Sequence, residues 1–151
     1  MRRNDKQING IAAVANVLGR AKVCRLGLCE NDRPYVVPLC FGYEDNALYI
    51  HSAGQGKKLD IIRKNNNVCF EVDIDCRVAE AGKVCDWGMK FKSVIGFGKA
   101  VFIEGSDEKR KALNIIMAQY SEQQFQFPKN KVRATAVFKV EIESMTGKQS
   151  I

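Results

Sequence analysis

Two short polar clusters, "ENDRP" at residues 30–34 and "EDNA" at 44–47, interrupt β-rich runs and leave no room for a helix between them. Strands joined by connections this short run antiparallel, because a parallel return needs a crossover of a dozen or more residues. A doubly wound parallel sheet is therefore excluded. The segment "VCRLGLCENDRPYVVPLCFGYEDNALYIHSA" predicts three antiparallel strands in a meander. Further on, "NVCFEVDIDCRVAEA" and "FKSVIGFGKAVFIEG" predict two more strands, and the glycines of the second predict a β-bulge or a close backbone approach. The alternation in "KVRATAVFKVEIESM" predicts a last strand.

Three stretches change to helical period. In "INGIAAVANVLGRAK", Ile8, Ile11, Ala12, Ala15 and Leu18 share a face, and Gly19 offers a stop. "GKKLDIIRKN" is a short amphipathic helix with Leu59, Ile61 and Ile62 inward. "SDEKRKALNIIMAQYS" opens with a serine N-cap and acids in its first turn. The resulting order is helix, three strands, helix, two strands, helix, strand. It predicts a mainly β chain with peripheral α elements, an antiparallel barrel or sandwich forming one domain over 1–151.

Composition removes several classes of function. No run of roughly 18 apolar residues is present, and the charged start "MRRNDKQING" is followed by no apolar stretch, so neither secretion nor membrane spanning is expected. The six cysteines sit mostly inside apolar runs such as "VCRLGLC", as reduced thiols of a cytoplasmic protein do. A net charge of +7 is spread along the chain without interleaved aromatics, which argues against nucleic acid. Cys69, Cys76 and Cys85 lack the paired spacing of a zinc site, and Asp86 with Glu80 makes no carboxylate pair for acid–base work. No metal and no catalytic residue is assigned.

The stretch "LYIHSAGQGKKLDIIRKN" carries the one histidine and hands a strand over to a helix. The first N–H groups of that helix lack intrahelical partners, and its dipole places partial positive charge there. With Ser52, Lys57 and Lys58 added, the turn has the parts of a phosphate cradle. The alternative is a solvated lysine pair on a helix surface, although the dipole disfavours lysines at this end. His51 equally fits a strand-end histidine satisfied by the backbone, Trp87 ordinary apolar packing, and Cys85 a small buried hydrophobe.

Taken together, "CRLGLCENDRPYVVPLCFGYEDNALYIHSAGQGKKLDIIRKNNNVCFEVD", "CDWGMKFKSVIGFGKAVFIE" and "KVEIESMTGK" resemble the FMN-binding split barrels related to pyridoxamine 5′-phosphate oxidase, and more narrowly their nitroimidazole-resistance branch. The resemblance covers nearly the whole chain. It implies a homodimer of antiparallel split β-barrels with FMN at the interface. Ser52, Lys57 and Lys58 match the family's phosphate clamp. Val37, Pro38, Leu39, Cys40 and Phe41 match the strand whose backbone lies along the flavin. His51 matches a histidine beside the cofactor, and Trp87 and Ser93 match contacts from the other side. The arginine-rich substrate clamp of true pyridoxamine phosphate oxidases is missing, so vitamin B6 oxidation is not implied. The resemblance implies instead an oxidoreductase acting on a small electron-poor acceptor such as a nitroimidazole. Its alternatives are a flavin-binding or sensing module without turnover, and a haem-binding split barrel with His51 as the sole histidine ligand. Lys148, in the closing "SMTGK", reads either as a contact to the partner's cofactor or as part of a frayed tail.

Overall fold

The structure is a computed structural model and describes residues 3–151, so the first two residues of the expected domain lie outside it. Among the described residues the chain forms eight strands and four α-helices. They are β1 (Gln7–Ile8), α1 (Ile11–Arg20), β2 (Cys24–Glu30), β3 (Arg33–Leu39), β4 (Gly42–Glu44), β5 (Ala47–Ala53), α2 (Lys57–Lys64), β6 (Asn67–Ala79), β7 (Gly88–Ile103), α3 (Ser106–Ala118), α4 (Lys129–Ala134) and β8 (Thr135–Ser150). All pairings are antiparallel, in the order β3-β2-β6-β7-β8-β5-β4, with β1 added on β8. This is the predicted mainly β architecture, an antiparallel split barrel with short flanking helices.

The predicted meander is two hairpins instead. Asn31 and Asp32 have φ of 48° and 61°, and Asp45 and Asn46 have 47° and 59°, so each loop is a two-residue turn of the primed type that strand twist favours. The hairpins β2–β3 and β4–β5 do not pair with each other. They lie at opposite ends of the sheet path and are joined only through Cys40 and Phe41. Phe41 is fully buried, and its N–H donates to the Tyr120 hydroxyl at 3.0 Å, which in turn donates to Lys22 O at 2.8 Å. The fold is pinned at its split by a residue 79 positions away.

One apolar cluster fills the barrel, with Leu26, Phe41, Leu48, Ile50, Phe70 and Phe138 at its centre and α1 and α2 closing over it. The second, around Leu113, Ile116, Val132 and Val137, lies outside, where α3 and α4 cover β5 and β8. Val137 and Phe138 are both buried because successive strand residues face these two different clusters. In β7 the sheet approach is so close that a Cβ on Gly98 would strike the carbonyl of Glu141, and the β7–β8 register slips between Phe97 and Gly98, as its glycines predict.

Five local expectations are corrected. Helix α1 buries Val14, Val17 and Leu18, whereas Ile11 is 80% exposed and Ala12 exposed, because the first turn stands clear of the sheet. The helix also runs one residue past Gly19. The cap of α3 is Gly105, and Ser106 is already helical without a capping side-chain bond. The start of the last predicted strand is α4, after which β8 begins at Thr135. Lys148 lies within β8 opposite Gln7, so this end is strand and not a frayed tail. Helix α2 buries Leu59, Ile61 and Ile62 as expected.

Candidate functional site

Strand β5 delivers its last residues to opposite faces of the sheet. Leu48, Ile50 and Ser52 point into the barrel, and Ser52 is 8% exposed. His51, on the other face, lines an apolar cavity of about 190 Å3 with Leu113, Ile116, Met117 and Phe127. Burial, and secondarily the charge of Lys58, hold its imidazole below the usual histidine range, which favours the neutral ring. The sequence placed His51 and Ser52 together; the pleat sends their side chains apart.

The chain then turns through Gly54, Gln55 and Gly56 into α2. Gly56 has φ of 141°, a backbone state that L side chains rarely adopt, and its carbonyl accepts from the N–H groups of Leu59 and Asp60. The amides of Lys57 and Lys58 remain as the free first donors of the helix. Lys57 is exposed, and its ammonium lies 4.6 Å from the centre of the Tyr35 ring, while Lys58 is half-buried. At the far end of α2, its last residue Lys64 pairs with Glu30 at 2.6 Å, so both ends of the helix are tied to the β2–β3 hairpin. The corner thus gathers a buried hydroxyl, two unpaired amides and two ammonium groups, a set suited to a phosphate.

Strand β3 is the edge beside this corner and pairs only with β2. Tyr35, Val37 and Leu39 pack toward the barrel core; Val36, Pro38 and Cys40 are exposed on the alternate positions. Its outer backbone groups are unpaired within the chain, and Pro34 and Pro38 interrupt the donor row. Trp87 and Ser93 lie elsewhere on the wall. Trp87 precedes β7, is 49% exposed and donates its indole N–H to Ala81 O at 2.9 Å. Ser93 sits in β7 between Asp73 and Lys148, three strands along the sheet path from β3. The strand expected over Val37–Phe41 ends at Leu39, with Cys40 and Phe41 in the link to β4; within one chain the contact of Lys57 with Tyr35 sets the start of α2 beside β3, while Trp87 and Ser93 lie elsewhere.

Sequence reasoning missed Tyr35 and Tyr120. Alternation in "RPYVVPL" gives the face of Tyr35 but not the lysine above it. Nothing local signals Tyr120, whose hydroxyl, pushed up to about 12 chiefly by burial, acts here as a neutral hydrogen-bonding group.

Among the described residues no helix is long and apolar enough to cross a membrane. Residues 11–149 match the family model described as pyridoxamine 5′-phosphate oxidase. A provisionally named 5-nitroimidazole antibiotic resistance protein from Bacteroides thetaiotaomicron is 36% identical, with 94% of this chain and 85% of that one covered and a TM-score of 0.85. An FAD and heme binding protein from Mycobacterium smegmatis shares the fold at 18% identity, with a TM-score of 0.87 over 96% of this chain and 73% of that one. A protein of Rhizobium meliloti (strain 1021), RA0666, is 34% identical over 56 residues, 37% of this chain, so the chain spans about a third (36%) of the length of that curated relative. A family-model match over residues 11–149, joined by 36% identity over 94% of the chain to one solved structure, establishes the kinship: this chain belongs to the pyridoxamine 5′-phosphate oxidase family.

Proposed function

We propose that the protein is an FMN-binding homodimer that reduces small electron-poor acceptors, nitroimidazoles among them. The observation that supports the reading is the α2 corner, where β5 ends past Ser52, Lys57 and Lys58 open α2, and the Lys57 ammonium lies over Tyr35 of the edge strand β3. In this reading they hold the FMN phosphate, and the backbone of Val37, Pro38, Leu39, Cys40 and Phe41 runs along the isoalloxazine. When bound, FMN supplies the electrons. The chain's own part is to fix the cofactor's tail, orient its ring and shield one side from water. His51 contributes the end of β5, its neutral imidazole turned to the α3–α4 cavity. The similarity to the Bacteroides protein supports the acceptor class.

A second subunit is part of the reading because Trp87 and Ser93 lie outside the corner in their own chain. Val36, Gly27, Cys69 and Phe97 form one continuous row across β3, β2, β6 and β7 by register. Val36, Phe97 and the neighbouring Ile95 are 62%, 55% and 47% exposed. An apolar stripe of this kind favours burial against another surface. The haem alternative, raised by the fold match to the Mycobacterium protein, is less well supported, since the cavity at His51, about 190 Å3, is smaller than a haem.

The test is spectroscopic. Protein with added FMN is reduced without oxygen and mixed with a 5-nitroimidazole. Reoxidation faster than that of free reduced FMN supports the enzyme, reoxidation no faster supports a passive flavin binder, and a protein that takes up no FMN ends the proposal.

A further inference from the structure

The end of the sheet where β6 and β7 pair beyond β2 holds a second concentration of charge. Strand β6 carries one extra residue where its register with β7 shifts between Ile74 and Arg77, Asp75 and Cys76 standing opposite Phe91 alone, and Asp75 within the bulge has φ of 57°. The bulge opens a hollow of about 550 Å3 whose wall includes Asp75 and Cys76 of the bulge, Arg77, Lys90, Lys92 and Phe91, with Ser150 and Ile151 at its edge. Arg77 and Lys90 face each other directly across the ladder. Like charges in that position oppose strand pairing. Lys92, two residues on, shares the face of Lys90, and both lysines are half-buried.

Among the described residues no carboxylate pairs with them. Asp75, the carboxylate in the wall, pairs with Arg20 of α1 at 2.7 Å, and Asp73 pairs with Arg25. Among the described residues Arg77, Lys90 and Lys92 enter no ion pair. Lys6 and Lys148 add positive charge at the rim, the first through a 3.1 Å bond to the Ser150 hydroxyl and the second 5.7 Å from the centre of the Phe91 ring. Cations held together at a strand bulge, partly withdrawn from water and in no ion pair among the described residues, are arranged for a ligand and against the stability of the empty fold.

We propose that this hollow binds the diphosphate group of a nucleotide. Three lining cations balance the roughly three negative charges of a diphosphate near neutral pH, more than a carboxylate or one phosphate ester supplies. The guanidinium of Arg77 suits two oxygens of one phosphate, the two ammonium groups suit the other, and the half-buried Phe91 with the exposed Ile151 offers apolar surface for the nucleoside. The site is separate from the α2 corner and does not depend on flavin binding there.

Calorimetric titration of the full chain with ADP, with and without saturating FMN, tests it. ADP is expected to bind in both conditions, at least about tenfold more tightly than AMP or adenosine, with inorganic pyrophosphate between them. Lys90→Gln with Lys92→Gln is expected to weaken ADP at least about tenfold while leaving FMN affinity unchanged. Because that variant removes like-charge repulsion, its melting temperature is expected at or above that of the parent; Arg77→Gln, at an exposed position, gives a second variant with the same expected loss. AMP binding as tightly as ADP, one-for-one competition between ADP and FMN, or an ADP affinity indifferent to all three substitutions overturns the proposal.

Discussion

Replacing Lys57 and Lys58 by alanine removes both ammonium groups from the α2 corner while leaving the barrel core untouched, since neither side chain is buried. A charge-assisted hydrogen bond contributes about 1.5–3 kcal/mol. Lys57 is exposed, so its contact belongs at the low end, and Lys58, half-buried, somewhat higher. With about 1.4 kcal/mol per decade, the double substitution is expected to raise the FMN dissociation constant at least tenfold and more nearly a hundredfold. Tyr35 refines the expectation. Its ring holds the Lys57 ammonium at 4.6 Å, an interaction of about 0.5–1 kcal/mol, so Tyr35→Leu is expected to weaken FMN roughly two- to fivefold through loss of positioning, and Tyr35→Phe to weaken it less. Flavin fluorescence titration measures all of these, with riboflavin as the internal control because it lacks the phosphate. Riboflavin affinity should be unmoved by the lysine substitutions. An unchanged FMN constant, or an equal loss for riboflavin and FMN, would refute the placement of the phosphate at this corner.

Two further perturbations probe the frame around the site. Gln119 is 9% exposed and its amide donates to Leu18 O at 2.7 Å and Ala21 O at 2.8 Å, tying the end of α3 to the end of α1; Gln119→Leu strands two carbonyls and is expected to cost about 2–4 kcal/mol, or roughly 5–15 °C in melting temperature, so an unshifted melt would show the tie to be dispensable. His51 is exposed at its surface yet partly covered where it lines the α3–α4 cavity, and its folded-state pKa lies below the ordinary value of 6.5, so the unfolded chain binds more protons and this residue's contribution to stability is lost as pH falls below about 6.5; denaturant titrations at pH 7.5 and 5.5 should show His51→Phe gaining a little stability relative to the parent at the lower pH, and parallel profiles would contradict this partial burial.

The elements were legible where local chemistry decides them. Asn31-Asp32 and Asp45-Asn46 tolerate positive φ, so both hairpin turns show in the sequence. Lys57 and Lys58 stand at the start of α2 because Gly56 and the apolar spacing of Leu59, Ile61 and Ile62 set its phase. What stayed hidden depends on partners distant in sequence. Alternation describes β3 and β4 equally well as neighbours or as opposite ends of the path, and only the pairing of Arg25 with Glu71 and of Ala47 with Glu141 separates them. "KVRATAV" fits an alternating strand until the apolar surface of α3 is available to Val132, which then favours one helical turn and a half. In the same way the divergence of His51 and Ser52 follows from which side of β5 meets α3, a fact of packing and not of spacing.

The position of the β4–β5 hairpin sets a schedule for synthesis. Ala47 finds its cross-strand neighbour Glu141 only after 94 more residues, 141 minus 47, have been made. At about 5–20 residues per second that is an interval of roughly 5–20 s on the ribosome. Throughout it, Leu48 and Ile50 belong to a two-stranded ribbon too small to persist alone in water, with one bare hydrogen-bonding edge. The hazard of misassociation for this polypeptide is thus concentrated in its own elongation, and slowing translation between α2 and β8 would lengthen it without altering the finished barrel.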